Sequence, residues 1–131
     1  MRVMVNGTFD ILHRGHIQLL NYAKSLGNTL LVAIDTDRRV KELKGSDRPV
    51  NSQEDRKFHL ENLKAVDVVC LFDSKEELIE IMKHWQPDIY VKGSDWKGGS
   101  STAQQYAKQV IFYDRVGEYS TTNIIQRISD R

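Results

Sequence analysis

The chain has 131 residues, of which 40% are hydrophobic and 28% charged, which is typical of a globular domain in water. Nineteen basic residues balance eighteen acidic ones, and a net charge of +1 excludes bulk electrostatic capture of nucleic acid or of an anionic membrane. The single cysteine, Cys70, excludes a disulfide within the chain and is predicted to be a small buried apolar residue. With no leader and no membrane-spanning segment predicted, we expect one cytoplasmic domain over residues 1–131.

Short apolar runs alternate with amphipathic segments along the chain. The runs are rich in valine and isoleucine and show little polar alternation, as in parallel strands that are covered on both faces. The predicted strands are Arg2–Asn6, Thr29–Ile34, Val66–Phe72, Asp88–Val91 and Gln109–Phe112. The predicted helices are Ile17–Leu26, with Gly27 as its stop, Ser52–Leu63, Lys75–Trp85, Ser101–Lys108 and Ser120–Ile128.

This alternation predicts an α/β fold, with a doubly wound, Rossmann-like parallel sheet of five strands in a single domain. Sheets of this kind bind ligands beyond the carboxyl ends of their strands, where the strand order reverses. Two segments that follow predicted strands, Asp35–Asn51 and Lys92–Ser101, are expected to be long irregular loops.

The stretch "GTFDILHRGH", from Gly7 to His16, joins the first predicted strand to the first predicted helix. It matches neither the P-loop nor the dinucleotide-binding pattern. A helix N-terminus nevertheless offers unpaired N–H groups to an anion, and Gly15 lets the anion approach the backbone. His13 and His16, three residues apart, can face the same phosphate. The pattern favours phosphate binding, and a capping histidine beside an incidental one remains the alternative; no metal site is predicted.

The same stretch resembles the HxGH signature of the nucleotidyltransferase superfamily, which includes cytidylyltransferases and small adenylyltransferases. The segments "LKGSDRPVNSQEDR", "AVDVV" and "DIYVKGSDWKGG" resemble the adenylyltransferase domain of ADP-heptose synthase, although the "DW" pair is closer to glycerol-3-phosphate cytidylyltransferase. The segment "RVGEYSTTNIIQRI" carries an STT motif that both families place at the last helix, and its Arg115 matches the glycerol-phosphate family better.

The resemblance implies a nucleotidyltransferase: a phosphate oxygen of a small phosphorylated alcohol attacks the α-phosphorus of CTP or ATP, and pyrophosphate leaves. Catalysis of this kind consists of positioning and charge neutralisation. Mg²⁺ is expected to arrive with the triphosphate. Relatives of this kind are often dimers, so the resemblance also implies a homodimer.

The resemblance implies three groups of site residues. The catalytic group is His13 and His16, on the phosphate oxygens, and Lys44, a cation between the two substrates. The nucleotide-binding group is Gly7, Thr8, Phe9, Gly15, Lys92, Gly93, Asp95, Arg115, Ser120, Thr121 and Thr122. The acceptor-binding group is Asp10, Lys41, Arg48, Arg56 and Trp96.

Several of these residues have a second role that the sequence leaves open. Asp10 can instead orient the turn, Arg56 can form a structural ion pair or a subunit contact, and Ser120 can be a helix cap. The lysines can belong to a solvated loop, and Trp96 can be half-buried.

Two substrate pairs compete within this reaction class. CTP with glycerol 3-phosphate, giving CDP-glycerol, is the leading prediction because of Asp95, Trp96, Arg115 and the length of the chain. ATP with a heptose 1-phosphate, giving ADP-heptose, is the alternative, and the middle block favours it. A non-catalytic nucleotide-binding regulatory domain is the alternative from another class, against which the histidine pair and Lys44 argue.

Overall fold

The computed structural model describes residues 1–93, 105–114 and 120–131. Within these ranges, five strands form one parallel sheet in the order β3-β2-β1-β4-β5. The strands are β1 (Arg2–Gly7), β2 (Thr29–Asp35), β3 (Val68–Phe72), β4 (Ile89–Gly93) and β5 (Gln109–Tyr113). The helices are α1 (Arg14–Ser25), α2 (Asp37–Lys44), α3 (Gln53–Glu61), α4 (Lys75–Trp85) and α5 (Thr121–Ser129). The predicted α/β fold with a five-stranded parallel sheet is confirmed.

The sheet is covered on both faces, which explains the uninterrupted apolar runs of the sequence. On one face, Val5 and Val32 pack with Leu20 of α1 and Leu60 of α3. On the other face, the core is formed with α4, and its members include Met4, Leu31, Phe72, Met82 and Tyr90. The strand order reverses at β1, between β2 and β4, so the carboxyl end of β1 is the place where such sheets bind ligands.

The predicted strands are all present, with ends that shift by one or two residues. The strand β3 begins at Val68 rather than Val66, because the Val66 N–H closes a turn onto the Leu63 carbonyl. The carboxylate of Asp67 then accepts hydrogen bonds from Lys24 Nζ and from the backbone N–H of Leu30. Of the predicted helix Ser101–Lys108, residues 101–104 lie outside the described ranges, and the segment from Gln105 to Lys108 contains only a short 3₁₀ turn and bends.

The prediction of an irregular loop over Asp35–Asn51 is wrong in its first half, where α2 forms. Thr36 caps this helix by accepting a hydrogen bond from the Arg39 N–H at 3.3 Å. Its sequence, DRRVKELK, is mostly charged and buries Val40 alone, so it lacks the apolar stripe by which an amphipathic helix is recognised. None of the helices in the described ranges is long and apolar enough to span a bilayer.

Gly27 serves a different purpose from the predicted helix stop. The helix α1 ends at Ser25 with Leu26 in a right-handed conformation, and no left-handed glycine is needed there. A Cβ atom at Gly27 would lie 2.6 Å from the Met1 carbonyl oxygen and 2.8 Å from the Val3 Cγ2 atom. The glycine therefore allows the loop after α1 to pass close to the start of β1.

Replacing Gly27 by alanine is expected to lower the free energy of unfolding by about 1–3 kcal/mol, because the neighbouring atom is backbone and gives way only if β1 shifts. Chemical denaturation measures this change. Gly93→Ala is the control, since a Cβ atom there would meet no described atom within 4 Å. Equal unfolding midpoints for Gly27→Ala and the wild type would contradict this account.

Candidate functional site

Two helix N-termini meet beside the turn that follows β1. The helix α1 begins at Arg14, and α5 begins at Thr121, whose hydroxyl donates a hydrogen bond to the Ile11 carbonyl at 3.2 Å. The loop after α2 joins them, because Arg48 Nη2 donates to the Thr122 hydroxyl at 3.4 Å. The N-terminus of a helix carries unpaired N–H groups and partial positive charge, so this arrangement suits a polyphosphate.

The two histidines of the turn stack on each other, with ring centroids 3.8 Å apart and ring planes 24° apart. His13 is the N-cap of α1 and its Nδ1 accepts a hydrogen bond from the Gly15 N–H at 3.1 Å. The Nδ1 of His16 accepts from the backbone N–H of His13 at 3.4 Å. A neutral imidazole that accepts at Nδ1 carries its proton on Nε2. The structure therefore confirms that His13 caps α1, and in both rings the proton is on Nε2.

This geometry predicts the tautomer of both rings. In ¹⁵N NMR at pH 8, His13 and His16 should each show an unprotonated Nδ1 and a protonated Nε2, because the backbone N–H groups hold Nδ1 as an acceptor. His84, whose side chain is 84% exposed, is the control and should show an exchanging mixture of tautomers. A protonated Nδ1 in either histidine of the turn would contradict the capping geometry.

Gly7 and Phe9 shape the turn through packing. Phe9 has a positive φ of 51°, and its buried ring lies 5.0 Å from the His16 ring. A Cβ atom at Gly7 would approach the Phe9 ring to 3.0 Å, so glycine makes room for that ring. The Phe9 side chain therefore belongs to the core below the histidines, and the predicted backbone contacts of Thr8 and Phe9 with a nucleotide remain predictions.

Asp10 holds the turn to the loop that carries Arg48. The residue is only 3% exposed, and its two carboxylate oxygens accept hydrogen bonds from the backbone N–H groups of Val50 and Asn51, both at 2.7 Å. The Asn51 amide donates in return to the Asp10 carbonyl at 2.9 Å. Of the two roles that the sequence left open, the structure shows the orientation of the turn, and acceptor binding by Asp10 remains a prediction.

Arg56 is fully buried beneath the site, where its guanidinium donates four hydrogen bonds. Nη1 donates to the carbonyls of Thr8, at 3.0 Å, and Asp35, at 2.9 Å. Nε donates to the Asn51 carbonyl at 3.1 Å, and Nη2 pairs with the Asp37 carboxylate at 2.8 Å. Among the roles that the sequence left open, the structure shows the structural ion pair, because the four hydrogen bonds of the guanidinium all go to protein groups.

Removing this guanidinium is expected to destabilise the fold severely. Arg56→Met leaves the Asp37 carboxylate and three backbone carbonyls without their partner, and breaking a buried pair of this kind costs about 3–5 kcal/mol of unfolding free energy. Denaturant unfolding followed by circular dichroism measures the loss. Arg38→Met is the matched control, because the exposed Arg38 pairs with Asp73 and Glu42 at the surface and its removal should leave the midpoint almost unchanged. A comparable midpoint for the two variants would refute the supporting role.

Lys44 is better placed than Lys41 to meet substrates. Partial burial lowers the pKa of the Lys44 ammonium, while the nearby carboxylates of Asp35 and Asp10 act in the opposite direction. Lys41 and Lys44 are both exposed residues of α2, and the Lys41 carbonyl accepts the Gly45 N–H that ends the helix. Lys44 thus stands at the end of α2 within electrostatic reach of the turn, as a cation between two phosphates requires.

Asp35, at the end of β2, is a residue of this region that the sequence analysis missed. It is only 7% exposed, and burial raises the pKa of its carboxyl group, although Arg39, Lys44 and Arg56 oppose that shift. Arg39 Nε lies 3.6 Å from its Oδ2 atom. The signal available in the sequence was an acidic residue directly after a buried strand, at the edge where ligands bind.

The remaining predicted residues divide into those the structure describes and those it does not. Lys92 lies in β4 with its ammonium 5.6 Å from the Tyr90 ring centre, and burial lowers its pKa. Gly93 ends that strand. Ser120 caps α5 by accepting a hydrogen bond from the Asn123 N–H at 2.9 Å, which confirms the cap. Asp95, Trp96 and Arg115 lie outside the described residues.

No group of three or more histidine, cysteine, aspartate or glutamate side chains in the described ranges is arranged to hold a metal ion. Cys70 packs against the core on the α4 side and is partly, not fully, buried; burial raises the pKa of its thiol. Mg²⁺ generally relies on substrate phosphates and few protein ligands, so the chemistry of the site is compatible with a metal that is brought by a triphosphate.

The model of the cytidylyltransferase-like family matches residues 4–127. The chain belongs to the cytidylyltransferase-like family. This match spans both histidines, Lys44 and the N-terminus of α5, and it confirms the predicted membership in the nucleotidyltransferase superfamily.

Curated relatives agree with this membership. The chain is 48% identical over 128 residues to the bifunctional protein HldE of a Nitratiruptor species and 47% identical over 126 residues to that of Campylobacter fetus subsp. fetus. Each match covers 96% of this chain and 27% of the relative, so the chain spans about a quarter of the length of these proteins.

Among solved structures, the lipopolysaccharide core biosynthesis protein from Thermoplasma volcanium GSS1 is similar, with a TM-score of 0.70 and 29% identity. That match covers 92% of this chain and 98% of the other. A protein with unknown function from Archaeoglobus fulgidus shares the fold, with a TM-score of 0.68 at 16% identity, and the match covers 92% of this chain and 94% of that one.

Proposed function

We propose that this domain transfers AMP from ATP to a heptose 1-phosphate, forming ADP-heptose and releasing pyrophosphate. The observation that carries the reaction class is the stacked pair of His13 and His16 beside the N-termini of α1 and α5. The heptose acceptor is supported by the identity to bifunctional HldE proteins and by the resemblance of the block "LKGSDRPVNSQEDR" to the adenylyltransferase domain of ADP-heptose synthase. These findings favour the alternative over the leading prediction of CTP with glycerol 3-phosphate.

In the proposed reaction, a phosphate oxygen of the acceptor forms a bond to the α-phosphorus of ATP while the bond from that phosphorus to the bridging oxygen of pyrophosphate breaks. The Nε2–H groups of His13 and His16 donate to the phosphate oxygens, on which negative charge grows. Lys44 lies between the two anions and offsets their repulsion. Mg²⁺ bound to the triphosphate would supply further charge neutralisation.

The regulatory alternative, a domain that binds nucleotide without turnover, is less well supported. A binding domain needs the two helix N-termini, but it does not need a lysine within electrostatic reach of Asp10 together with a pair of oriented imidazole donors. The predicted homodimer remains a prediction, and light scattering of the purified chain would measure it.

Pyrophosphate release measured over a matrix of nucleotides and acceptors tests the proposal. With Mg²⁺ present, the rate should be highest with ATP and a heptose 1-phosphate. His16→Ala should lower it on the order of 10²-fold, the effect of losing one preorganised donor to a developing oxyanion. His84→Ala is the control and should leave it unchanged, because His84 lies exposed on α4.

Two outcomes would contradict the proposal in different ways. A higher rate with CTP and glycerol 3-phosphate would replace the substrate pair and keep the reaction class. Tight binding of ATP with no pyrophosphate released in any combination would favour the regulatory domain.

A further inference from the structure

The carboxylate of Asp35 is unexpected in a site that is proposed to bind two polyanions. It lies at the carboxyl end of β2, beside β1, and its side chain is 90% buried, with an exposed fraction of 10%. A negative charge at this place repels phosphate groups instead of holding them. The residue therefore needs a function other than phosphate binding.

The side chain of Asp35 lies on the α4 side of the sheet. Along β2, Ala33 belongs to the core on that side, and alternation puts Asp35 on the same face, in register with Phe72 of β3. Tyr90 shares this face, and its hydroxyl donates a hydrogen bond to the Asn6 side chain at the end of β1. The carboxyl ends of β1 and β2 thus place the polar side chains of Asn6 and Asp35 on the same face of the sheet.

The hydrogen-bonding capacity of the Asp35 carboxylate is not filled by its described neighbours. Arg39 Nε is 3.6 Å from Oδ2, an ion pair that is too long for a hydrogen bond, and this Nε atom is itself buried without a hydrogen-bond partner among the described residues. Among the described residues, the other donor to the carboxylate is the backbone N–H of Asp35 itself. Ionised carboxylates have about four acceptor positions, and buried ones are normally saturated. The unfilled positions call for donors from outside the protein fold.

Hydroxyl groups are the donors that a substrate of this reaction can bring. The triphosphate of the nucleotide is assigned to the corner between α1 and α5, where Thr121 meets the turn. Asp35 lies on β2 instead, next to the cations of α2, Arg39 and Lys44, which suit the phosphate of the second substrate. Hydroxyls attached to that same substrate would then reach the carboxylate.

We propose that Asp35 accepts hydrogen bonds from hydroxyl groups of the acceptor and is a specificity-determining residue for polyhydroxylated acceptors. The ion pair with Arg39 holds the carboxylate in place, and Lys44 beside it receives the acceptor phosphate. This inference rests on the proposed function, from which it takes the identity of the second substrate as a sugar phosphate.

The test compares Asp35→Asn and Asp35→Ala with the wild type in steady-state kinetics of pyrophosphate release. The KM for the heptose 1-phosphate should rise about tenfold or more, the effect of losing a hydrogen bond to a charged group, while the KM for ATP stays the same. Glu42→Gln is the matched control, because it removes the same charge from the exposed face of α2 and should change neither constant.

Kinetics with acceptor analogues distinguish a direct contact between Asp35 and the substrate from a purely structural role of this residue. In the wild type, a hexose 1-phosphate such as mannose 1-phosphate should lose efficiency when the hydroxyl that contacts Asp35 is replaced by hydrogen. In Asp35→Ala, the same deoxy analogue should be used as well as its parent, because the partner of that hydroxyl is gone.

Folding of the variants is checked by thermal unfolding. Because burial raises the pKa of Asp35 above its value in the unfolded chain, the ionised carboxylate destabilises the fold at neutral pH, and this penalty disappears as the pH falls through the raised pKa. Asp35→Asn should therefore unfold no lower than the wild type at pH 7, and its advantage should shrink as the pH falls through that raised pKa.

The outcomes separate the inference from the proposed function. An unchanged acceptor KM in Asp35→Ala, or a rise confined to the KM for ATP, overturns the role of Asp35 and leaves the reaction intact. Preference of the wild type for CTP and glycerol 3-phosphate overturns the proposed substrate pair, and the same KM comparison with glycerol 3-phosphate then decides the role of Asp35. Inactivity with every acceptor overturns both.

Discussion

The buried guanidinium of Arg56 is the interaction on which the geometry of the site depends. Its hydrogen bonds hold together the turn after β1, the end of β2, the first turn of α2 and the loop before α3. A charge in this position is tolerated only because each of these partners compensates for lost hydration. Asp10 extends the network to the loop that reaches α5, so the histidine turn, α2 and α5 are fixed relative to one another.

The electrostatics of the site follow from this rigid frame. The Nε2–H donors of the two imidazoles, two helix N-termini and the ammonium of Lys44 present positive potential where phosphate groups would meet. Preorganised donors of this kind stabilise developing charge without having to reorganise during the reaction. Asp35 adds a carboxylate beside these positive groups, and in the role proposed above it would distinguish the hydroxyl-bearing part of a substrate from its phosphate.

The fold alone does not specify which acceptor substrate the protein binds. A protein from Archaeoglobus fulgidus shares the fold at 16% identity, so this fold is compatible with a very different sequence. We therefore expect acceptor choice to depend on individual residues at the ends of β1, β2 and β4. The ends of these strands carry Asn6, Asp35 and Lys92, and none of these is needed to form the sheet.

The sequence by itself determined the five strands, four of the helices described here, the histidine pair on a helix cap and the capping of α5 by Ser120, because each depends on residues within a few positions of one another. The sequence did not predict α2, because its residues are mostly charged and Val40 is its only buried side chain. Nor did it decide between the two roles of Asp10 and of Arg56. Some of their hydrogen-bond partners lie 40 residues or more away, at Val50 for Asp10 and at Thr8 for Arg56, and the desolvation that makes a charge structural exists only once the chain has folded around it.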